Sequence, residues 1–265
     1  YYSKCFIFVF VQNKNEFKSL LYLISNIGNY HYRNHNFFDK LEKILQLFKD
    51  DIQKNFTNSE IFNIFDNNMR LLLYLFEKNI LIFNEYIYNK LSAKDHFLTY
   101  FSPEINKNIP SELKKSFSIR HFCYDEFYKL RALGENEDKI CEIIRNDNVT
   151  EFITYTNRNN ILANEIINKS CFETNPFLIG KNVSLIEYAA FYGSIQIFNY
   201  LKKHVVILNQ SIWYFAIHGN NAEIIHELEE DSNTHRESFL SCFQESIKLH
   251  HNDLANYFYH FFLDD

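Results

Sequence analysis

Glycine and proline are scarce, 5 and 3 among 265 residues. Their absence excludes a collagen-like, linker-like or β-turn-rich chain, and with them a glycine-rich nucleotide-binding scaffold. The five cysteines, Cys5, Cys123, Cys141, Cys171 and Cys242, are odd in number, widely spaced and never form Cys-x-x-Cys. Neither a disulfide framework nor a zinc ribbon fits, and they read as reduced, mostly buried thiols of a cytoplasmic protein. Long apolar runs are missing too. The strongest, Cys5–Val11, is followed at once by polar Gln12-Asn13-Lys14-Asn15, and it falls far short of the ~20 residues of a spanning helix. With no small-residue cleavage site after it, it reads as a buried first element or the end of a truncated segment. No membrane partner is expected.

Basic charge is in deficit: 27 Lys and Arg against 33 Asp and Glu, net −6. Phosphate binding needs a clustered basic face, so nucleic acid is not an expected partner. The charge is uneven, +3 over residues 1–136 and −9 over 137–265. Such a split suits two parts with different surfaces, the second preferring a basic or neutral partner.

What the chain has in abundance is Phe, Tyr, Asn and Ile, which make 109 of the 265 residues. Nearly all of it reads with helical period. Phe17, Leu20, Leu21 and Ile24 form one stripe, and Leu41, Ile44, Leu45 and Phe48 another. Ile61, Phe62, Phe65 and Met69 lead into the dense block Leu71–Phe76, and Pro103 and Pro110 bracket an expected loop before a short helix at Ser111. No paired alternating runs joined by Asn-Gly or Asp-Gly indicate hairpins. Residues 1–136 are therefore expected to be an all-helical domain, with the polar stretch Gly134–Asp138 as the boundary.

Beyond that boundary the chain repeats itself. Ala189–Phe198 aligns without gaps on Ala216–Ile225 at an offset of 27, and Ser246–Ala255 follows at 30. Upstream, Ile143–Phe152 matches at 46, with an insertion between Ile153 and Val183. Each unit reads as a helix, a tight turn at Gly193 or its equivalent, and a second helix. Small residues at Ala189, Ala190, Ala216 and Ser246 would let neighbouring units approach closely. Ser184–Glu187 and Thr234–Glu237 match the capping box that starts a helix.

The string Ser184–Gly193 resembles the ankyrin-repeat core. Leu185–Leu201, Ile212–His218, Glu223–His226 and Glu245–Asn252 are similar to a protist ankyrin family with a helical N-terminal domain of unknown function. The resemblance covers residues 137–261. It lacks the Thr-Pro-Leu-His tetrapeptide, and its offsets fall below the usual ~33, which removes the β-hairpin fingers. It implies an all-α protein: a helical N-terminal domain, 1–136, followed by a short ankyrin-like α-solenoid, 137–265. It further implies non-enzymatic protein binding or scaffolding through the first-helix side and loop tips. Two alternatives stand beside it, a structural fragment of a longer repeat array and an enzyme housed in the N-terminal helices.

Site chemistry is sparse. Adjacent His250 and His251 point about 100° apart on a helix and cannot easily share an ion. His218 is expected to hydrogen-bond backbone across adjacent loops, and Trp213 to pack between repeats. Cys242 lies on the apolar stripe Phe239-Cys242-Phe243, which suggests an inert thiol rather than a nucleophile paired with His218 or His250. No hydrolase, metalloprotease, Walker or Rossmann string occurs, so no catalytic, cofactor or metal residue is expected. The dense acidic cluster Glu227, Glu229, Glu230 and Asp231 falls at the end of a second helix, where the dipole disfavours anions. It is the candidate contact for a basic protein partner.

Overall fold

The computed structural model describes residues 11–31, 35–108, 124–204, 208–230 and 236–263. Among them the chain is helical throughout, and its sole β feature is an isolated bridge between Ile166 and Ser184. The apolar run through Phe10, the Ser111 helix and the Thr234–Glu237 capping box lie outside the described residues.

Two compact units form. The first is Tyr1–Glu135 with the returning decapeptide Ser170–Ile179, and the second is Asn136–Lys169 with Gly180–Asp265. A linear reading leaves that decapeptide in the second unit. It belongs to the first because the Phe172 ring meets Phe127 edge-on at 5.3 Å, and the Thr174 amide and hydroxyl both donate to the Gly134 carbonyl.

The first unit contains α1 (Lys14–Tyr30), α2 (His35–Leu47), α3 (Lys49–Asn55), α4 (Asn58–Phe65), α5 (Met69–Glu77), α6 (Glu85–Leu91), α7 (Asp95–Tyr100), α8 (Ser102–Asn108) and α9 (Tyr124–Leu133). The stripes read from the sequence bury Phe17, Leu21, Ile24, Leu41, Leu45, Phe48, Ile61, Phe62, Phe65 and Met69 in one core. Such side chains contribute about 1.5–3 kcal/mol each. α1 packs on α2 and α4, and α4 on α5 and α6. Thr57 and Glu60 close a capping box at the start of α4, carrying the same four-residue signature as Ser184 and Glu187. Pro103 does not open a loop. It sits in the first turn of α8, where its missing amide costs no hydrogen bond.

The second unit contains α10 (Lys139–Arg145), α11 (Val149–Asn159), α12 (Leu185–Tyr192), α13 (Ile195–Lys202), α14 (Ile212–Gly219), α15 (Ala222–Glu230), α16 (Arg236–Lys248) and α17 (Asn252–Phe258), closed by a wide turn at Tyr259–Leu263. These are four helical hairpins. Their first helices lie in a row, α12 touching α10 and α14, and α14 touching α16, while α11, α13 and α15 form a second row.

One turn serves all four hairpins. A single residue takes the left-handed conformation in each: Asp147, Gly193, Asn220 and His250. These are spaced by 46, 27 and 30, the sequence offsets. In three turns the amides of that residue and the next bond back in the Schellman pattern: Asp147 to Ile144 and Asn148 to Ile143, Gly193 to Ala190 and Ser194 to Ala189, and His250 to Ile247 and His251 to Ser246. Asn, Asp and His tolerate this backbone region better than most residues, so a chain poor in glycine still makes the turns.

Small residues bring the first helices together. A Cβ on Gly219 would collide with the Ala190 carbonyl oxygen, so α12 and α14 meet backbone to backbone there. α12 and α14 are apolar nearly all round and almost wholly buried. The expected binding face on the first helices is therefore not open along these two. In the α12–α13 and α14–α15 hairpins the exposed surfaces are the turns and the outer sides of α13 and α15.

Candidate interaction surface

The acidic cluster lies at the C-terminal end of α15, and its members do different things. Lys202, from α13 of the preceding hairpin, places Nζ 2.7 Å from the Glu227 carboxylate and donates to the Glu227 carbonyl at 2.6 Å. One ammonium thus meets both the unsatisfied end of the helix and the carboxylate that the helix dipole disfavours. Glu229 accepts from His226 Nδ1 at 3.0 Å, and its side chain is mostly covered. Burial, reinforced by a hydrogen bond with Glu229, pushes the Tyr257 phenol up to about 12. Glu230 is exposed, as is Glu223 in the first turn of the same helix. Asp231 lies outside the described residues. Two of the four predicted contacts are therefore engaged within the protein, and Glu230 with Glu223 forms the open acidic surface.

Along the turns, polar side chains link one hairpin to the one before. Ser194 donates its hydroxyl to the Ile144 carbonyl, and Asn221 Nδ2 donates to the Gly193 carbonyl at 3.0 Å. Asp147 accepts from the amides of Gln196 and Ile197 at the start of α13. Ser211 donates to Glu187 at 2.6 Å, joining the capping box of α12 to the next hairpin.

Asn221 thus bonds backbone across adjacent turns, and the contacts of His218 run between helices. The His218 ring stacks on Phe191 at 5.4 Å, and its Nε2 lies 3.2 Å from Glu245 Oε1 on α16. Consecutive hairpins are thus joined through one imidazole. The His218 hydrogen bond and Lys248, 3.0 Å from the other carboxylate oxygen, hold Glu245 at about 2 against the desolvation that opposes them. No sequence signal within either helix marks this pair, which sits 27 residues apart.

Trp213 packs between hairpins, edge-on to Phe239 at 5.4 Å and near Phe258 at 6.2 Å. Cys242 is buried, and desolvation followed by the nearby Glu245 charge pushes its thiol up to about 12. A thiol held that high supplies no thiolate near neutrality. His250 and His251 are turn residues, the first in the left-handed region. Among the described residues no group of three His, Cys, Asp or Glu side chains is placed to hold a metal ion. None of their helices is long and apolar enough to cross a membrane. Cys141 is buried and Cys171 half-buried; Cys5 and Cys123 lie outside the described residues.

The first unit has a polar-lined cavity of about 320 Å³ between α2, α5, α7 and α9, bordered by Glu42, Arg70, Tyr74, Glu77, Tyr100 and Arg131. Arg131 is 5% exposed, and it is spent internally: its guanidinium bonds both Glu104 oxygens and the Tyr100 carbonyl and lies over the Tyr128 ring. Arg70 covers the Phe38 ring at 4.1 Å. The Glu42 carboxyl is raised by desolvation, which outweighs the Arg70 charge. Sequence reading missed these groups, because isolated Arg and Glu on amphipathic helices look like solvated surface.

Comparison with family models, curated proteins and solved structures returns no match for this chain.

Proposed function

We propose that this chain is a non-enzymatic protein-binding or scaffold module whose second unit is a short ankyrin-like solenoid acting in the cytoplasm. The observation that carries the reading is the fourfold use of one helix–turn–helix, with left-handed turn residues Asp147, Gly193, Asn220 and His250 at the sequence offsets. Stacked hairpins of this kind gain stability from nearest neighbours and leave an extended surface free for a partner. With the first helices α12 and α14 buried, the partner meets the turns and the second helices. Glu223 and Glu230 give that surface its acidic character, in keeping with a basic protein partner.

The test is proximity labelling in cells with the wild-type chain and with Glu223, Glu230 and Asp231 changed to Gln, Gln and Asn. Far-UV circular dichroism of both purified chains checks the fold. The reading expects a reproducible set of labelled proteins that shrinks in the variant. An identical set in both removes the acidic surface from the interaction, and no set above background for either removes the binding reading.

A second reading, an enzyme or small-molecule binder in the first unit, is favoured by the cavity beside Arg70 and Arg131. A ligand-dependent rise in melting temperature that Arg70→Met abolishes would support it.

A further inference from the structure

The cavity of the first unit is bordered by carboxylates that the fold leaves unpaired. Glu42 on α2 is half-buried, and among the described residues its carboxylate has neither an ion pair nor a hydrogen bond. Arg70, Glu77 and Lys78 act on it through space. Glu77, at the end of α5, is a second carboxylate without an ion pair among the described residues. Tyr74 donates its hydroxyl to the Glu42 carbonyl at 2.9 Å, which fixes α2 against α5 beside the Glu42 side chain.

Tyr100, at the end of α7, makes the opposite demand. It is 1% exposed, and among the described residues its hydroxyl has no hydrogen-bond partner. The phenol feels the charges of Arg131, Glu104, Arg70 and Glu77, and three of these four residues border the same cavity. Burial pushes the phenol up, so it stays protonated and has a hydrogen to donate. Buried hydroxyls in folded proteins are nearly always satisfied, so whatever fills the cavity has to supply the acceptor.

We propose that this cavity binds a free α-amino acid, its ammonium against Glu42 and Glu77 and its carboxylate against the Tyr100 hydroxyl and Arg70. The mixed lining selects that class. A simple anion would meet Glu42 and Glu77, and a simple cation would meet Arg70 and Lys78, so like charge opposes either one. A zwitterion sets each of its ends against an opposite charge. Arg131 is not the anchor, because its guanidinium is already committed to both Glu104 oxygens. The volume, about 320 Å³, is at the lower end for small-molecule sites, which suits an amino acid and excludes a dinucleotide. This assignment rests on the reading of the first unit as a small-molecule binder, and it is independent of any protein bound at the hairpin turns.

Thermal unfolding of the whole chain tests it first, with each standard amino acid, succinate and putrescine at about 10 mM. Isothermal titration then compares the most stabilising amino acid with its decarboxylated amine and its deaminated acid. At least one amino acid should raise the melting temperature, and its two truncated relatives should bind about tenfold more weakly or worse. Glu42→Gln, and separately Tyr100→Phe, should weaken the amino acid by about tenfold, while Glu85→Gln, exposed on α6, leaves its affinity unchanged. Tyr100→Phe removes only an oxygen without a hydrogen bond among the described residues, so it keeps the test valid if Glu42→Gln disturbs folding. A chain that no amino acid stabilises overturns the proposal. If succinate or putrescine then stabilises it through Arg70, the small-molecule reading stands alone; if neither does, that reading falls too. The proposal is also overturned by an affinity that the amine or the acid alone reproduces, that survives both substitutions, or that Glu85→Gln lowers equally.

Discussion

Gly219→Ala sets local propensity against tertiary packing, and the two predict opposite signs. Gly219 ends α14 with an ordinary helical backbone. On propensity alone, alanine there stabilises by about 1 kcal/mol. The added Cβ, however, would collide with the Ala190 carbonyl oxygen of α12, which belongs to a helix and cannot swing away as a side chain end could. Forcing a methyl into such a contact costs about 3 kcal/mol. The net expectation is a loss of about 2 kcal/mol, a fall of roughly 6 °C in melting temperature for a unit of this size. Trp213, the single tryptophan, is buried in the same helix against Phe239 and Phe258, so its fluorescence reports on this stack during urea unfolding. The denaturant midpoint should fall with little change in slope. A midpoint equal to or above wild type refutes the backbone contact between α12 and α14.

Three further outcomes are expected. Glu245, held at about 2 against an ordinary 4.5, binds protons less readily in the folded state than in the unfolded one. Its contribution is therefore complete above about 4.5 and disappears as pH falls towards 2; Glu245→Gln should flatten that part of a stability–pH profile followed by Trp213 fluorescence. Arg131→Met strands the Glu104 carboxylate and the buried Tyr100 carbonyl and should cost about 3 kcal/mol by thermal circular dichroism. Cys242 should resist an aromatic disulfide reagent at pH 8 until the chain unfolds; rapid native labelling of Cys242 contradicts its burial.

The helices were legible because a single period of 3.6 residues serves both the sequence pattern and the buried face. Phe17, Leu21 and Ile24 could be chosen from spacing alone. The hairpin turns were legible for a similar reason: each needs one residue that tolerates the left-handed region, and Asp147, Gly193, Asn220 and His250 recur at the repeat offsets. Pro103 was misread because a proline opens a helix as readily as it ends one. In the candidate site, the acidic cluster was visible as a run of charge. That Lys202 engages Glu227 was not, since their 25-residue separation carries no local signal.

By itself, then, the sequence determined the all-helical character of the described residues, the positions of the helix stripes and the spacing of the turns, because backbone periodicity and turn stereochemistry are local. Tertiary structure decided which faces stayed open. It returned Ser170–Ile179 to the first unit, buried α12 and α14, divided the acidic cluster between internal pairs and solvent, and joined His218 to Glu245. Each of these depends on which helices lie side by side, and neighbours in space leave no period in the chain.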